Sequence, residues 1–248
     1  MQGVLYISHG SRVPKARSHA VQFLNETMPL VEAPLQEICY LELAKPTIAE
    51  GIETLVTRGA TRIAVVPVLL LSGGHYYKDI PQAINKAAER FSDITFTYGK
   101  TLGVQERIIE ILLERVHETH VPVTETTDIL LVGRGSPEPE TKTAIETITG
   151  RLHEQLKPRD THVSYLAARE PSFSQALENL QTSAAAHTIV IPYLWFTGIL
   201  LQHMAEKLDE VRAETTMTAE LGHHPLMHEA LASRAHEAIH APLYQGGD

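Results

Sequence analysis

The chain has 248 residues, room for one large domain or two small ones at about 100–200 residues each. Lys and Arg number 21 against 30 Asp and Glu, a formal charge of −9, which excludes a nucleic-acid binder or a polybasic membrane binder but leaves space for a local basic pocket. A single cysteine, Cys39, excludes an internal disulfide framework and fits a reducing compartment. The compositional oddity is histidine, with 14 copies, a common metal ligand and the side chain that titrates nearest neutrality.

In chain order, residues 4–7 read as a buried strand and 14–30 as a helix opened by Pro14. Strands at 35–43, 63–71 and 94–98 alternate with helices at 46–57, 76–90 and 104–118, the strand at 63–71 being apolar enough for burial on both faces. After the polar stretch 121–127 the order begins again. Strands at 129–133, 162–168 and 188–196 alternate with helices at 140–156, 171–182 and 200–212, and segments 216–221 and 226–239 close the set. The first residues run into an apolar segment too short for a signal-peptide core and without a basic leader. The longest apolar run, 63–71, contains Pro67 and falls far below the about 20 residues of a membrane span. A cytoplasmic location, with no membrane or nucleic-acid partner, is the expectation.

The two halves superpose in sequence at one offset, 125 residues. Leu5, Gly10, Ser11, Pro14, Pro46 and Pro67 fall on Leu130, Gly135, Ser136, Pro139, Pro171 and Pro192. A duplicated α/β unit follows: an N-terminal domain over 1–120, a linker at 121–127 and a C-terminal domain over 128–248. The expected architecture is two tandem flavodoxin-like domains, each a parallel sheet flanked by helices, facing across a cleft.

Duplication supplies an internal control, since residues needed for the fold recur while residues needed for chemistry need not. His9, Glu42 and His75 follow the first three strands, and their mates are Arg134, Ala167 and Leu200. In a strand order 2-1-3-4 these three strand ends are neighbours at the carboxyl edge, where ligands bind such sheets. Two imidazoles and a carboxylate there form an open site for a divalent transition metal, confined to the first half. Cys39 is not placed like a ligand. His224, His228, His236 and His240 form two i, i+4 pairs on the last helix, read as a solvated face, and Phe91, Tyr193, Trp195 and Phe196 as core or cleft wall.

Two nucleotide-like motifs fail. Gly133-Arg134-Gly135-Ser136-Pro137-Glu138 ends in Glu138 where a dinucleotide fingerprint needs Gly or Ala, and Gly99-Lys100-Thr101 lacks the first glycine of a P-loop because Ile94 stands there.

The run Ile7-Ser8-His9-Gly10-Ser11-Arg12, then Leu41-Glu42-Leu43 ahead of Pro46, then Val66-Pro67-Val68-Leu69-Leu70-Leu71-Ser72-Gly73-Gly74-His75 and Asp79-Ile80-Pro81 resembles the class II tetrapyrrole chelatases. Tyr98-Gly99-Lys100-Thr101-Leu102-Gly103, Gly133-Arg134-Gly135-Ser136 and Pro192-Tyr193-Leu194-Trp195-Phe196-Thr197-Gly198 extend the likeness over nearly the whole chain. It is strongest to the long, two-domain sirohydrochlorin ferrochelatases and cobaltochelatases. The resemblance implies ATP-independent insertion of a divalent metal into sirohydrochlorin. His9 and His75 would handle the metal and Glu42 would be the third functional residue. The metal is then a substrate and not a permanently bound cofactor: Fe²⁺ first, giving siroheme, with Co²⁺ toward cobalamin as the alternative and Ni²⁺ behind it. Either Glu42 or a histidine would accept the pyrrole protons. The partners expected are sirohydrochlorin and the ion, with the chain a monomer of two pseudo-symmetric halves. An acidic protein must hold a carboxylate-rich macrocycle with a local basic rim, for which Arg12, Lys45, Lys78 and Arg134 are the candidates. The rival from another class is a non-catalytic cytosolic carrier of metal or tetrapyrrole.

Overall fold

A computed structural model of the chain describes residues 1–246. Its first half runs β1 (Gln2–Ser8), α1 (Pro14–Thr27), β2 (Leu35–Tyr40), α2 (Ile48–Thr57), β3 (Arg62–Val68), α3 (Ile80–Arg90), β4 (Thr95–Tyr98) and α4 (Glu106–Glu118). The second half runs β5 (Thr127–Gly133), α5 (Pro139–Leu156), β6 (Asp160–Tyr165), α6 (Phe173–Thr182), β7 (His187–Tyr193), α7 (Ile199–Asp209), β8 (Thr215–Met217) and α8 (Pro225–His240). Among the described residues these strands make two four-stranded parallel sheets, ordered β2-β1-β3-β4 and β6-β5-β7-β8. Strands buried on both faces read as continuous apolar runs. β1, β3, β5 and β7 do so, and Leu5, Ile7, Val65, Val66, Leu130 and Ile191 are at most 1% exposed. Burying each such side chain contributes about 1.5–3 kcal/mol.

Local chemistry repeats with the strands. Thr47 caps α2 in a reciprocal box with Glu50, and Ser172 caps α6 in the same way with Gln175, satisfying backbone donors that a helix start leaves open. Several boundaries differ from the sequence reading. β2, β3 and β7 stop at Tyr40, Val68 and Tyr193, about three residues before their apolar runs end. Leu41 and Leu69 still pack on the core after the ladder has stopped, so hydrophobicity outlasts strand geometry. α1 ends at Thr27 and continues only as a 3₁₀ turn, Met28–Leu30, because Pro29 has no N–H and restricts the residue before it.

The compact units of the structure do not coincide with the continuous halves 1–120 and 128–248. One compact unit comprises Met1–Gly103 and the chain from His228 onward, and the other comprises Val104–Met227. The last helix of each half thus belongs to the other half's unit. In the first unit, the Thr97 hydroxyl donates to Ala238 O at 2.6 Å. The Arg62 guanidinium donates to Ile239 O and Ala241 O, both at 3.1 Å, capping the C-terminus of α8 where the helix dipole favours a cation. In the second unit, α4 packs on β7 and α5. The exchange is reciprocal. Arg115 of α4 donates to Glu220 O and Leu221 O, while Arg234 of α8 donates to Leu102 O. Arg115, Glu118, Leu102 and Gly103 fall on Arg234, Glu237, Leu221 and Gly222 at an offset of 119 (234 − 115), a second repeat register that the single offset of 125 hides. Beyond α8, Leu243 bridges antiparallel to Thr97 and the Tyr244 amide donates to Phe96 O at 2.8 Å, covering the outer edge of β4. Among the described residues no helix is long and apolar enough to cross a membrane.

One ion pair sits at the start of β5. The Asp128 carboxylate is fully buried and accepts from Arg159 Nε at 2.8 Å and from the Ser183 hydroxyl at 3.2 Å. Burial pushes its pKa up, but the Arg159 bond and charge outweigh that and hold it below the usual carboxylate range. A depressed folded value contributes stability above the unfolded value of about 3.9, and that contribution disappears as the pH falls toward the folded value. Asp128→Asn should cost about 2 kcal/mol at pH 7, less than a fully buried pair because Arg159 keeps a solvent-facing side. In denaturant melts the gap between the two proteins should narrow steadily as the pH falls below about 4, and a gap that did not change with pH would contradict the assignment.

Candidate metal centre

Parallel pairing between β1 and β2 does not end with the strands. Leu41 N donates to Ser8 O at 2.9 Å and Glu42 N to His9 O at 3.2 Å, so the residues after the two strands stay in register. Gly10 makes this possible. Its φ is +91°, and a Cβ there would stand 1.9 Å from Glu42 O, a position open only to glycine. The chain then turns through Leu43, itself at φ 62°. The result is His9 Nε2 at 3.5 Å from Glu42 Oε1.

β3 lies on the other side of β1, and its following loop carries His75 back over the same edge. The His9 and His75 rings meet edge to face, centroids 4.9 Å apart at 79°. One ligand atom from each of His9, Glu42 and His75 lies within 4.8 Å of the others. Metal–nitrogen and metal–oxygen bonds of about 2.0–2.2 Å set ligand atoms roughly 3–3.5 Å apart, a spacing the His9–Glu42 pair already has. The side chains are 29%, 50% and 32% exposed for His9, Glu42 and His75, so the cluster is open to solvent. Two imidazoles and one carboxylate bind borderline divalent ions, and an open face lets an ion arrive and leave.

The other sequence candidates are spread more widely. Arg12 is exposed on the loop that follows β1, and Lys78 is exposed in the helical turn ahead of α3. Lys45 pairs with Glu50 at 3.3 Å, not with Glu42. Arg134 is exposed at the end of β5 in the second unit. Cys39 is fully buried in β2, and burial pushes its thiol far up, so it offers no ligand. Among the helical histidines, His228 stacks on Phe23 at 4.1 Å and bonds Thr27, His224 meets Glu114 at 2.7 Å, and His240 bonds the backbone of His236.

Asp79 was missed by sequence reasoning as a site residue. Its Oδ2 lies 2.6 Å from His75 Nδ1. The signal was available in the i, i+4 spacing from His75, together with Met204 at the mate position.

The second half keeps the scaffold without these groups. Leu166 N donates to Gly133 O and Ala167 N to Arg134 O, and a Cβ on Gly135 would meet Ala167 O at 1.8 Å. Gly135, just after β5, therefore serves strand pairing as Gly10 does.

Residues 3–119 and 128–238 each match the CbiX family model. The chain belongs to the CbiX family. Within this family and its relatives, the chain is 41% identical over 214 residues to the sirohydrochlorin ferrochelatase of Priestia megaterium, covering 86% of this chain and 80% of that one. It is 34% identical to the sirohydrochlorin ferrochelatase of Bacillus subtilis (strain 168), over 95% and 91% of the two chains. It is 30% identical to the sirohydrochlorin cobaltochelatase of Priestia megaterium, over 100% and 83%. The solved structure of SirB from Bacillus subtilis with Fe³⁺ superposes with a TM-score of 0.89 at 34% identity, covering 96% of each chain. The CbiX match runs over continuous halves, whereas the compact units exchange their last helices.

Equivalent strain with unequal chemistry gives a direct test. Gly10→Ala and Gly135→Ala should each destabilise the protein by roughly 1–3 kcal/mol. Only Gly10→Ala should also abolish Co²⁺ binding, followed by ligand-field absorption below the melting temperature. Equal loss of Co²⁺ binding in both variants would contradict a site confined to the first half.

Proposed function

We propose that this CbiX-family chain catalyses ATP-independent insertion of a divalent metal into sirohydrochlorin, with Fe²⁺ as the ion and siroheme as the product. The observation that carries the reading is the convergence of His9, Glu42 and His75 at the carboxyl edge of the first sheet, in a chain whose ferrochelatase relatives match at 41% and 34%. Fe²⁺ is preferred over Co²⁺ because the cobaltochelatase of Priestia megaterium, which matches the whole chain, stands at 30%, the cobaltochelatases of Saccharolobus match 48% of the chain, and the sequence has no dense histidine tract for metal storage.

Insertion strips water from the ion, transfers it to four ring nitrogens and releases two pyrrole protons. His9 and His75 present the ion. Imidazole nitrogens hold it firmly enough to replace water and reversibly enough to give it up. Glu42, at 3.5 Å from His9 and half in solvent, takes the protons one at a time and passes them to water. Arg12, Lys78 and Arg134 meet the carboxylates of the macrocycle. Lys45 contributes least, since it already pairs with Glu50. With both units on one chain, the protein acts as a monomer in the cytoplasm.

An anaerobic assay with sirohydrochlorin and either Fe²⁺ or Co²⁺ tests this. Multiple turnovers are expected with Fe²⁺, whereas a change that stops at one equivalent would mark a carrier. At limiting metal, His75→Ala should lower the rate about 100-fold or more, and a full rate would remove His75 from the mechanism. Arg134→Glu should raise the KM for sirohydrochlorin and leave that for metal unchanged. An unaltered KM would take Arg134 out of the substrate site.

A further inference from the structure

We infer that Asp79 is the positioning residue of the metal centre, fixing which nitrogen of His75 faces the incoming ion. The inference rests on the reading of His75 as a metal ligand.

Asp79 Oδ2 lies 2.6 Å from His75 Nδ1. A carboxylate oxygen can only accept, so Nδ1 carries the hydrogen and the neutral ring keeps its lone pair on Nε2. The same bond holds the ring plane against rotation and makes Nε2 a better donor, as carboxylates behind metal-bound histidines do. His9 is set differently, with Nδ1 3.3 Å from the backbone oxygen of Gly10. Both imidazoles therefore have Nδ1 occupied on the protein side, one by a neutral carbonyl and one by a charged carboxylate.

The backbone that brings His75 and Asp79 together is specialised. Residues His75–Asp79 form one π-turn ahead of α3, in which Ile80 N donates to His75 O five residues back. Such wide turns are rare and concentrate at functional sites. The turn is pinned from β4, where the Tyr98 hydroxyl donates to Tyr76 O at 2.7 Å. The Tyr98 ring stacks on Tyr76 at 4.9 Å and meets Tyr244 edge-on at 6.0 Å.

The duplicated half shows that this is not a requirement of the fold. There α7 is a regular helix from Ile199 to Asp209. Leu200 and Met204 replace His75 and Asp79 at the offset of 125, Met204 is fully buried, and Met217 stands for Tyr98 at the offset of 119. The wide turn, the imidazole, its carboxylate and the tyrosine pin are all missing from the second copy. A carboxylate present only for solubility would not track the ligand in this way.

Co²⁺ titrations followed by ligand-field absorption, paired with insertion kinetics, separate the possibilities. Asp79→Ala should weaken Co²⁺ binding about 10–100-fold and raise the KM for metal with the KM for sirohydrochlorin unchanged. Asp79→Asn should recover most of the affinity, because its amide oxygen still accepts from Nδ1–H. The double variant His75→Ala/Asp79→Ala should bind no worse than His75→Ala, since Asp79 acts through that ring. Wild-type Co²⁺ affinity in Asp79→Ala, or an additive loss in the double variant, would overturn the inference. If His75→Ala itself left Co²⁺ affinity intact, the ligand reading of His75 would fall first, and the assignment of Asp79 with it.

Discussion

The hydrogen bond from Glu42 N to His9 O, closed over Gly10, is the constraint on which the site depends. It extends β1–β2 pairing beyond the strands and brings a carboxylate beside an imidazole without help from either side chain. β1 lies between β2 and β3 in the sheet, so the loop after β1 can be reached from both neighbours. Glu42 arrives from one side and His75 from the other. A different strand order with the same local sequences would leave the three groups apart, because side chains of this length cannot reach across an intervening strand spaced about 4.8 Å from each neighbour.

The second half carries the same constraint with other residues on it. Gly135 sits under Ala167 O, Ser172 caps α6 as Thr47 caps α2, and the ladder continues from β5 to β6. The fold therefore needs the glycine and the cap, and does not need His9, Glu42, His75 or Asp79. The scaffold recurs where the candidate ligands do not, which separates architecture from candidate chemistry within one molecule. The exchange of α4 and α8 adds a further consequence. Each compact unit is completed by a helix from the other half, clamped through Arg115 in one case and Arg234 in the other.

Many of the histidines are held by packing or by hydrogen bonds. His228 stacks on Phe23, His187 bonds Thr216, His153 bonds Thr161 and His224 meets Glu114. These rings serve as amphipathic packing and hydrogen-bonding groups. His9 and His75 lie with Glu42 at the carboxyl edge of the first sheet, partly open to solvent, where water and an ion can reach the cluster.

The amino-acid sequence by itself determined the α/β class, the duplication at an offset of 125 and the strands buried on both faces, and it singled out His9, Glu42 and His75 as candidates that the fold brings together. These rest on apolar periodicity and on side-chain chemistry, which are local properties. It also contains the offset of 119 and the His75–Asp79 spacing, which a single register over the whole length hides. Only the tertiary structure decided which sheet each last helix completes, that Lys45 turns to Glu50, and that a π-turn sets Asp79 behind His75. Those outcomes depend on which surface buries an amphipathic helix and on one extra residue in a turn. Hydrophobic patterning is nearly the same for either choice, so the energy that selects between them appears only once the sheets are assembled.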